Sequence, residues 1–107
     1  VDEMVISLGG GVEVAGYGFP GSDELAGNVV LALGDRRAVL LRNHGLCVAA
    51  GSPGEALAIA VLVERVAQIF FVAEAAGGAI NLPNDAVQAE QAIYRMRAGL
   101  PEQPEQP

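Results

Sequence analysis

The chain has 107 residues, enough for one domain around one modest core, and about half of them are apolar, with few aromatics and no Trp. Its formal net charge is -7 and all six basic residues are arginine. No basic surface is therefore available to neutralise a nucleic-acid backbone or to hold a polybasic segment on an anionic membrane.

The longest apolar stretch, residues 56–63, is interrupted by Glu64, Arg65 and Gln68 and reads as too short and too polar to span a bilayer. The single cysteine, Cys47, has no internal disulfide partner, which fits a reducing, cytoplasmic compartment. The opening stretch VDEMVISLGGG has no charged region before an apolar run and is not a signal peptide. It also does not begin with methionine, so the chain reads as a processed product or a piece of something longer.

In chain order, residues 4–8 (MVISL) and 12–17 (VEVAGY) read as two short strands around a Gly9-Gly10-Gly11 hairpin turn. A phosphate-loop reading of that triplet fails because no G-x-x-x-x-G-K pattern and no helix follow directly. Pro20-Gly21 breaks the strand. Ser22 is a good N-cap, Asp23 and Glu24 sit where the helix dipole favours negative charge, and Leu25, Val29, Val30 and Leu33 recur at helical spacing. These predict a helix over 23–33 with Gly34 at C′. Residues 38–42 and 46–50 read as strands apolar on both faces, suited to a covered sheet, joined by a tight connection at Asn43-His44-Gly45.

The sharpest local signal is Gly51-Ser52-Pro53-Gly54-Glu55, with Ser52 as N-cap, Pro53 at N1 and Glu55 at N3 of a capping box. A helix over 53–76 follows, apolar around most of its circumference. Glu64 on its polar stripe reads as a surface glutamate paired with Arg or Gln. A last helix spans 85–98, stopped by Gly99 and Pro101. The tail 99–107, rich in Pro, Glu and Gln, cannot bury surface and is expected to be disordered. Residues 1–98 then form the domain. The alternation of strands and helices predicts an α/β fold with helices on a sheet.

His44, the only histidine, stands between two apolar runs in VLLRNHGLCVAA. A lone turn histidine is ordinarily a solvated or capping side chain. Against that stands metal ligation or proton transfer, yet a catalytic zinc takes three protein ligands, and H-x-x-C with Cys47 supplies too few. Cys47 itself reads as a small core residue on a strand.

The ordered set G-S-x-E-L-A at 21–26, N-H-G-L at 43–46, E-A-L at 55–57 and L-V-E-R-V-A-Q at 62–68 resembles the C-terminal half of the class II aldolase/adducin family, over residues 12–82. The resemblance implies part of a three-layer α/β/α domain with a central, largely antiparallel sheet. It implies that His44 is one of three histidines holding a catalytic divalent metal, usually zinc, which acts as a Lewis acid on a ketose. It implies a carbon–carbon lyase or epimerase acting on a small sugar phosphate or related keto compound. The family's H-x-H pair, its acidic catalytic residue and its phosphate-binding loops have no match here, so the chain is expected to be inactive alone. The expected partners are the missing N-terminal half or further copies, in a homo-oligomer such as a tetramer. Tyr94 lies in a C-terminal helix that in some relatives approaches a neighbouring active site; a structural role is the other reading. Two further readings of the whole chain are a non-enzymatic adducin-like interaction module and a small free-standing domain that assembles through its apolar faces.

Overall fold

The computed structural model describes residues 1–103. The expected disorder of the tail falls in part on 104–107, outside the described residues. Within 99–103, Gly99 closes the last helix and the Pro101 carbonyl accepts from Arg95 Nε at 2.6 Å.

The elements are α1 (Asp2–Leu8), β1 (Glu13–Ala15), α2 (Asp23–Leu33), β2 (Ala38–Leu41), β3 (Gly45–Val48), α3 (Pro53–Ala75) and α4 (Asn84–Ala98). The first corrects the expected strand at 4–8. Asp2 and Glu3 occupy the first turn of a helix, and the buried residues are Val5 and Leu8, spaced i, i+3 on one helical face. A five-residue, mostly apolar run fits a buried strand or a short helix equally by periodicity. The glycine triplet is accordingly no hairpin. Gly9 adopts φ 88° and its N–H donates to the Val5 carbonyl, ending the helix in the left-handed conformation that glycine tolerates. The strand expected over 12–17 shortens to three residues.

The later elements follow the local signals. Ser22 Oγ accepts from the Leu25 N–H at 3.1 Å, and Ser52 Oγ from the Glu55 N–H at 3.2 Å. Glu55 reaches back to the Gly51 N–H and pairs with Arg37, tying the start of α3 to the approach to β2.

The sheet has the order β1-β2-β3. β1 and β2 run parallel, with α2 as their crossover, and β2 and β3 form an antiparallel hairpin. Helices cover both faces, giving three layers. Ala15 and Val39, fully buried, lie on the face that α2 covers. Ala38 lies on the other face, in one cluster with Leu8 of α1 and Ile59, Leu62 and Val63 of α3, against which Val12 and Val48 also pack. On that second face the cover is incomplete. Val14, Leu40 and Leu46 are register partners across the three strands and are 49, 37 and 37% exposed.

α3 buries only Ile59, Leu62 and Val63. Leu57, Val61, Phe70, Phe71 and Val72 are exposed, and Phe70 continues the buried stripe one turn past Val66. By length and composition α3 is long and apolar enough to cross a membrane, which corrects the reading taken from residues 56–63 alone: the apolar run resumes at Ile69 after Gln68. Its inner face is nevertheless packed on the sheet, and Arg65 in its middle pairs with Glu3 of α1 at 3.2 Å. Glu64 is exposed, and no ion pair reaches it among the described residues.

α4 lies against α1. Tyr94, 5% exposed, donates its hydroxyl to the Asp35 carbonyl at 2.6 Å, and the Arg37 guanidinium sits 5.8 Å from its ring centroid. Gln91 Nε2 donates to the Gly9 carbonyl at 3.3 Å.

Candidate functional site

His44 ends the turn between β2 and β3. Its N–H donates to the Leu41 carbonyl at 3.0 Å, and Asn43, at φ 58°, is the only non-glycine residue with positive φ among the described residues. A left-handed residue in the third place of a four-residue turn is what a type II turn demands, and Asn tolerates it better than other side chains. The tight connection therefore depends on Asn43, not on Gly45, whose φ is not left-handed. The His44 side chain projects from this turn into solvent, exposed on the rim of the sheet.

The parallel pairing brings a second segment to the same rim. Ala15, the last residue of β1, is the register partner of Leu41, the last of β2. Residues 16–22 therefore leave the sheet beside residues 42–44. The carboxyl ends of parallel strands are where open α/β sheets bind ligands. The 16–22 loop is held firmly. Asn28 Nδ2 of α2 donates to the Gly16 and Tyr17 carbonyls at 3.1 and 3.3 Å. A Cβ on Gly18 would come within 2.6 Å of the Leu25 backbone, so only glycine fits there. Tyr17 and Phe19 alternate with these glycines and stand 55 and 72% exposed. Sequence reading took Tyr17 as a strand end and Pro20-Gly21 as a breaker, and did not join this loop to His44. The available signal was the alternation of glycine and aromatic residues ahead of a capped helix.

These residues do not make a complete metal centre. Among the described residues no three His, Cys, Asp or Glu side chains converge. Cys47 alternates onto the α2 face of β3, half-buried, as expected of a small packed residue. His44 alone offers one ligand where a catalytic zinc takes three. Tyr94 lies away from this rim, buried between α4, the end of α1 and the turn at Asp35.

Among the described residues one ionisable group is shifted, Glu90. A hydrogen bond to the Asp2 carboxyl, desolvation and the Asp2 charge together raise Glu90 above the ordinary carboxylate range. Glu90 Oε2 is shielded from solvent without a hydrogen-bond partner among the described residues. The pair joins α4 to α1, away from the His44 rim.

Residues 1–71 match the sequence profile described as "Class II Aldolase and Adducin N-terminal domain". The chain is 42% identical over 67 residues to a 3,4-dihydroxyphthalate decarboxylase of Arthrobacter keyseri, covering 63% of this chain and 27% of that one. It is 34% identical over 88 residues to a 5-deoxy-D-ribulose 1-phosphate aldolase of Bacillus thuringiensis serovar kurstaki, covering 82% of this chain and 41% of the other. Among solved structures it superposes on an L-fuculose 1-phosphate aldolase with a TM-score of 0.79 at 35% identity, covering 86% of this chain and 43% of that one. The match thus covers less than half the length of each of these relatives. By its sequence and its fold, the chain belongs to the class II aldolase and adducin family.

Proposed function

We propose that this chain is the C-terminal segment of a metal-dependent class II aldolase-like enzyme, a carbon–carbon lyase or epimerase acting on a small sugar phosphate or related keto compound, and that His44 is one of its metal ligands. The observation that carries the reading is the position of the lone histidine: it stands on a rigid turn at the carboxyl end of a parallel strand pair, inside the segment that matches the family. Two relatives are named as aldolases and one as a decarboxylase. Both kinds of reaction break a carbon–carbon bond and leave electron density that must be stabilised, which favours a lyase over an epimerase. A bound divalent metal, zinc in this proposal, supplies that stabilisation as a Lewis acid.

The chain's own contribution is positional. The Asn43 turn holds His44 at the rim, and Gly18 and Asn28 hold the Tyr17–Phe19 loop beside it as an apolar wall. The remaining ligands and the phosphate-binding groups come from polypeptide outside this chain, in the cytoplasm, where the lone thiol stays reduced. The exposed apolar faces favour a second reading, an adducin-like interaction module without catalysis.

The test is metal content and retro-aldol turnover of L-fuculose 1-phosphate with added zinc. The isolated chain should turn nothing over. The complete reading frame that contains it should bind zinc and cleave, and His44→Ala should remove both. A complete protein that binds no zinc and cleaves nothing supports the interaction module; turnover by the isolated chain, abolished by a chelator, refutes the segment reading.

A further inference from the structure

His44 takes its direction from the residue before it. The turn Leu41–His44 is closed by the His44 N–H on the Leu41 carbonyl at 3.0 Å, and Asn43 in its third place stands at φ 58°. Every other residue with positive φ among the described residues is a glycine. The chain thus departs from glycine at a left-handed position once, directly before its only histidine. Residues held in such sparsely populated backbone regions gather at sites where the strain serves a neighbouring group.

The surroundings leave that task to Asn43. The β2–β3 ladder ends at the pair Leu41 and Gly45, so residues 42–44 lie beyond its register. On the other side of His44, a Cβ on Gly45 would meet nothing within 4 Å, so no contact there fixes the chain. Asn43 and His44 are themselves exposed, and packing against the core does not hold them. Asn and Asp enter the left-handed region more readily than other side chains, because a short polar group can bond locally. Glycine enters it without cost but is as much at home at negative φ. Asn43 therefore keeps the turn with less freedom than glycine and less strain than an apolar residue.

We propose that Asn43 is a positioning residue for His44: its left-handed backbone presents the imidazole to the metal, so that residue 43 sets metal affinity more than it sets the stability of the fold. The inference rests on the reading of His44 as a metal ligand. Where a site binds only in one conformation, its apparent affinity falls with the fraction of molecules in that conformation. The ordinary penalty of an L-residue in the left-handed region corresponds to about five- to thirtyfold in population. An apolar residue at 43 lets the turn relax to negative φ, and each zinc ion bound must pull it back.

The test is the zinc affinity of the complete protein, measured by competition with a chromophoric chelator, beside thermal melts of the zinc-free form. Asn43→Ala and Asn43→Val should weaken zinc binding about five- to thirtyfold and leave the zinc-free melt nearly unchanged. Asn43→Gly and Asn43→Asp, which keep the left-handed turn accessible, should retain most of the affinity. His44→Ala is the reference and should abolish binding at this site. If His44→Ala abolishes binding while the Ala and Val variants bind as the native protein does, the proposal fails and the ligand reading stands; a lower zinc-free melt with that unchanged affinity would assign the residue to the fold alone. If the Gly and Asp variants lose zinc as fully as Val, the carboxamide is needed and not the turn, which also overturns it. If His44→Ala keeps its zinc, the ligand reading fails and the proposal falls with it.

Discussion

Gly9 and Tyr94 are 85 positions apart, and their contact can be tested as a wedge. A Cβ on Gly9 would lie 2.5 Å from Tyr94 Cε1 and 2.8 Å from Cδ1. The ring cannot easily swing away, because it is buried and its hydroxyl is bonded to the Asp35 carbonyl at 2.6 Å. Gly9→Ala therefore carries two separable costs. The left-handed backbone at φ 88° costs an L-residue about 1–2 kcal/mol. Forcing an extra methyl into a packed contact costs about 1–3 kcal/mol more. With about 4–8 °C lost per kcal/mol in a domain near this size, the combined cost of about 2–5 kcal/mol should lower the melting temperature on the order of 10–40 °C. Tyr94→Leu removes the ring and keeps an apolar side chain. In that background Gly9→Ala should retain only its backbone cost, so a double-mutant cycle should return a coupling of about 1–3 kcal/mol. Urea titrations of the four variants at one fixed protein concentration measure it. If Gly9→Ala costs the same in both backgrounds, within about 0.5 kcal/mol, the two residues are not wedged and α4 does not dock on the end of α1 as described.

Other expectations concern the caps, the carboxyl pair, the turn and the loop. Ser52→Ala should cost about 1 kcal/mol by denaturant unfolding, the ordinary loss for an N-cap. Because the Glu90 carboxyl is raised in the folded state, its contribution is fully present below its unfolded value and is lost as pH rises through the raised folded value. Stability measured from pH 4 upward should thus decline across that window, and Glu90→Gln should flatten the decline; an unchanged profile would show that the Glu90 carboxyl is not raised in the folded chain. Since His44 is exposed and touches no core residue, His44→Ala should cost less than about 1 kcal/mol in a thermal melt while removing zinc from the complete enzyme. Gly18→Ala should be far worse, because the clash is with the Leu25 backbone, and should lower the solubility and helix content of the chain.

What could be read without coordinates was what is decided locally. α2, α3 and α4 lie within a residue or two of their expected bounds, because a cap and a 3.6-residue period are properties of a short window. α1 was misread because five mostly apolar residues carry no period of their own, and its helix packs against α3 and α4, elements at the far end of the chain. The same limit hid the candidate site. His44 drew notice by its chemistry, but the loop beside it depends on a parallel pairing between residues 13–15 and 39–41 that no local pattern announces. Tyr94 was open to two readings for a similar reason: its burial depends on a glycine at the other end of the chain.

The distribution of cover over the sheet is more telling than the incomplete ligand set. α1 and α3 seal the second face where Ala38 and Val48 lie, and leave bare the row Val14–Leu40–Leu46 toward the His44 rim. On the α2 face, Ala15 and Val39 are sealed. Within the sheet itself, the apolar row left open thus lies next to the histidine. Polypeptide that brings further ligands to His44 must come up against this row, and burying it returns roughly 25 cal/mol per Å². That gain offsets the entropy lost in ordering the incoming ligands. Docking and metal binding are then linked: each strengthens the other by the same factor. Leu40→Asp in the complete enzyme should accordingly lower its zinc affinity, although residue 40 lies within β2 and offers no ligand in its native state. A zinc affinity unchanged by Leu40→Asp in a protein that still folds would separate the bare row from the site.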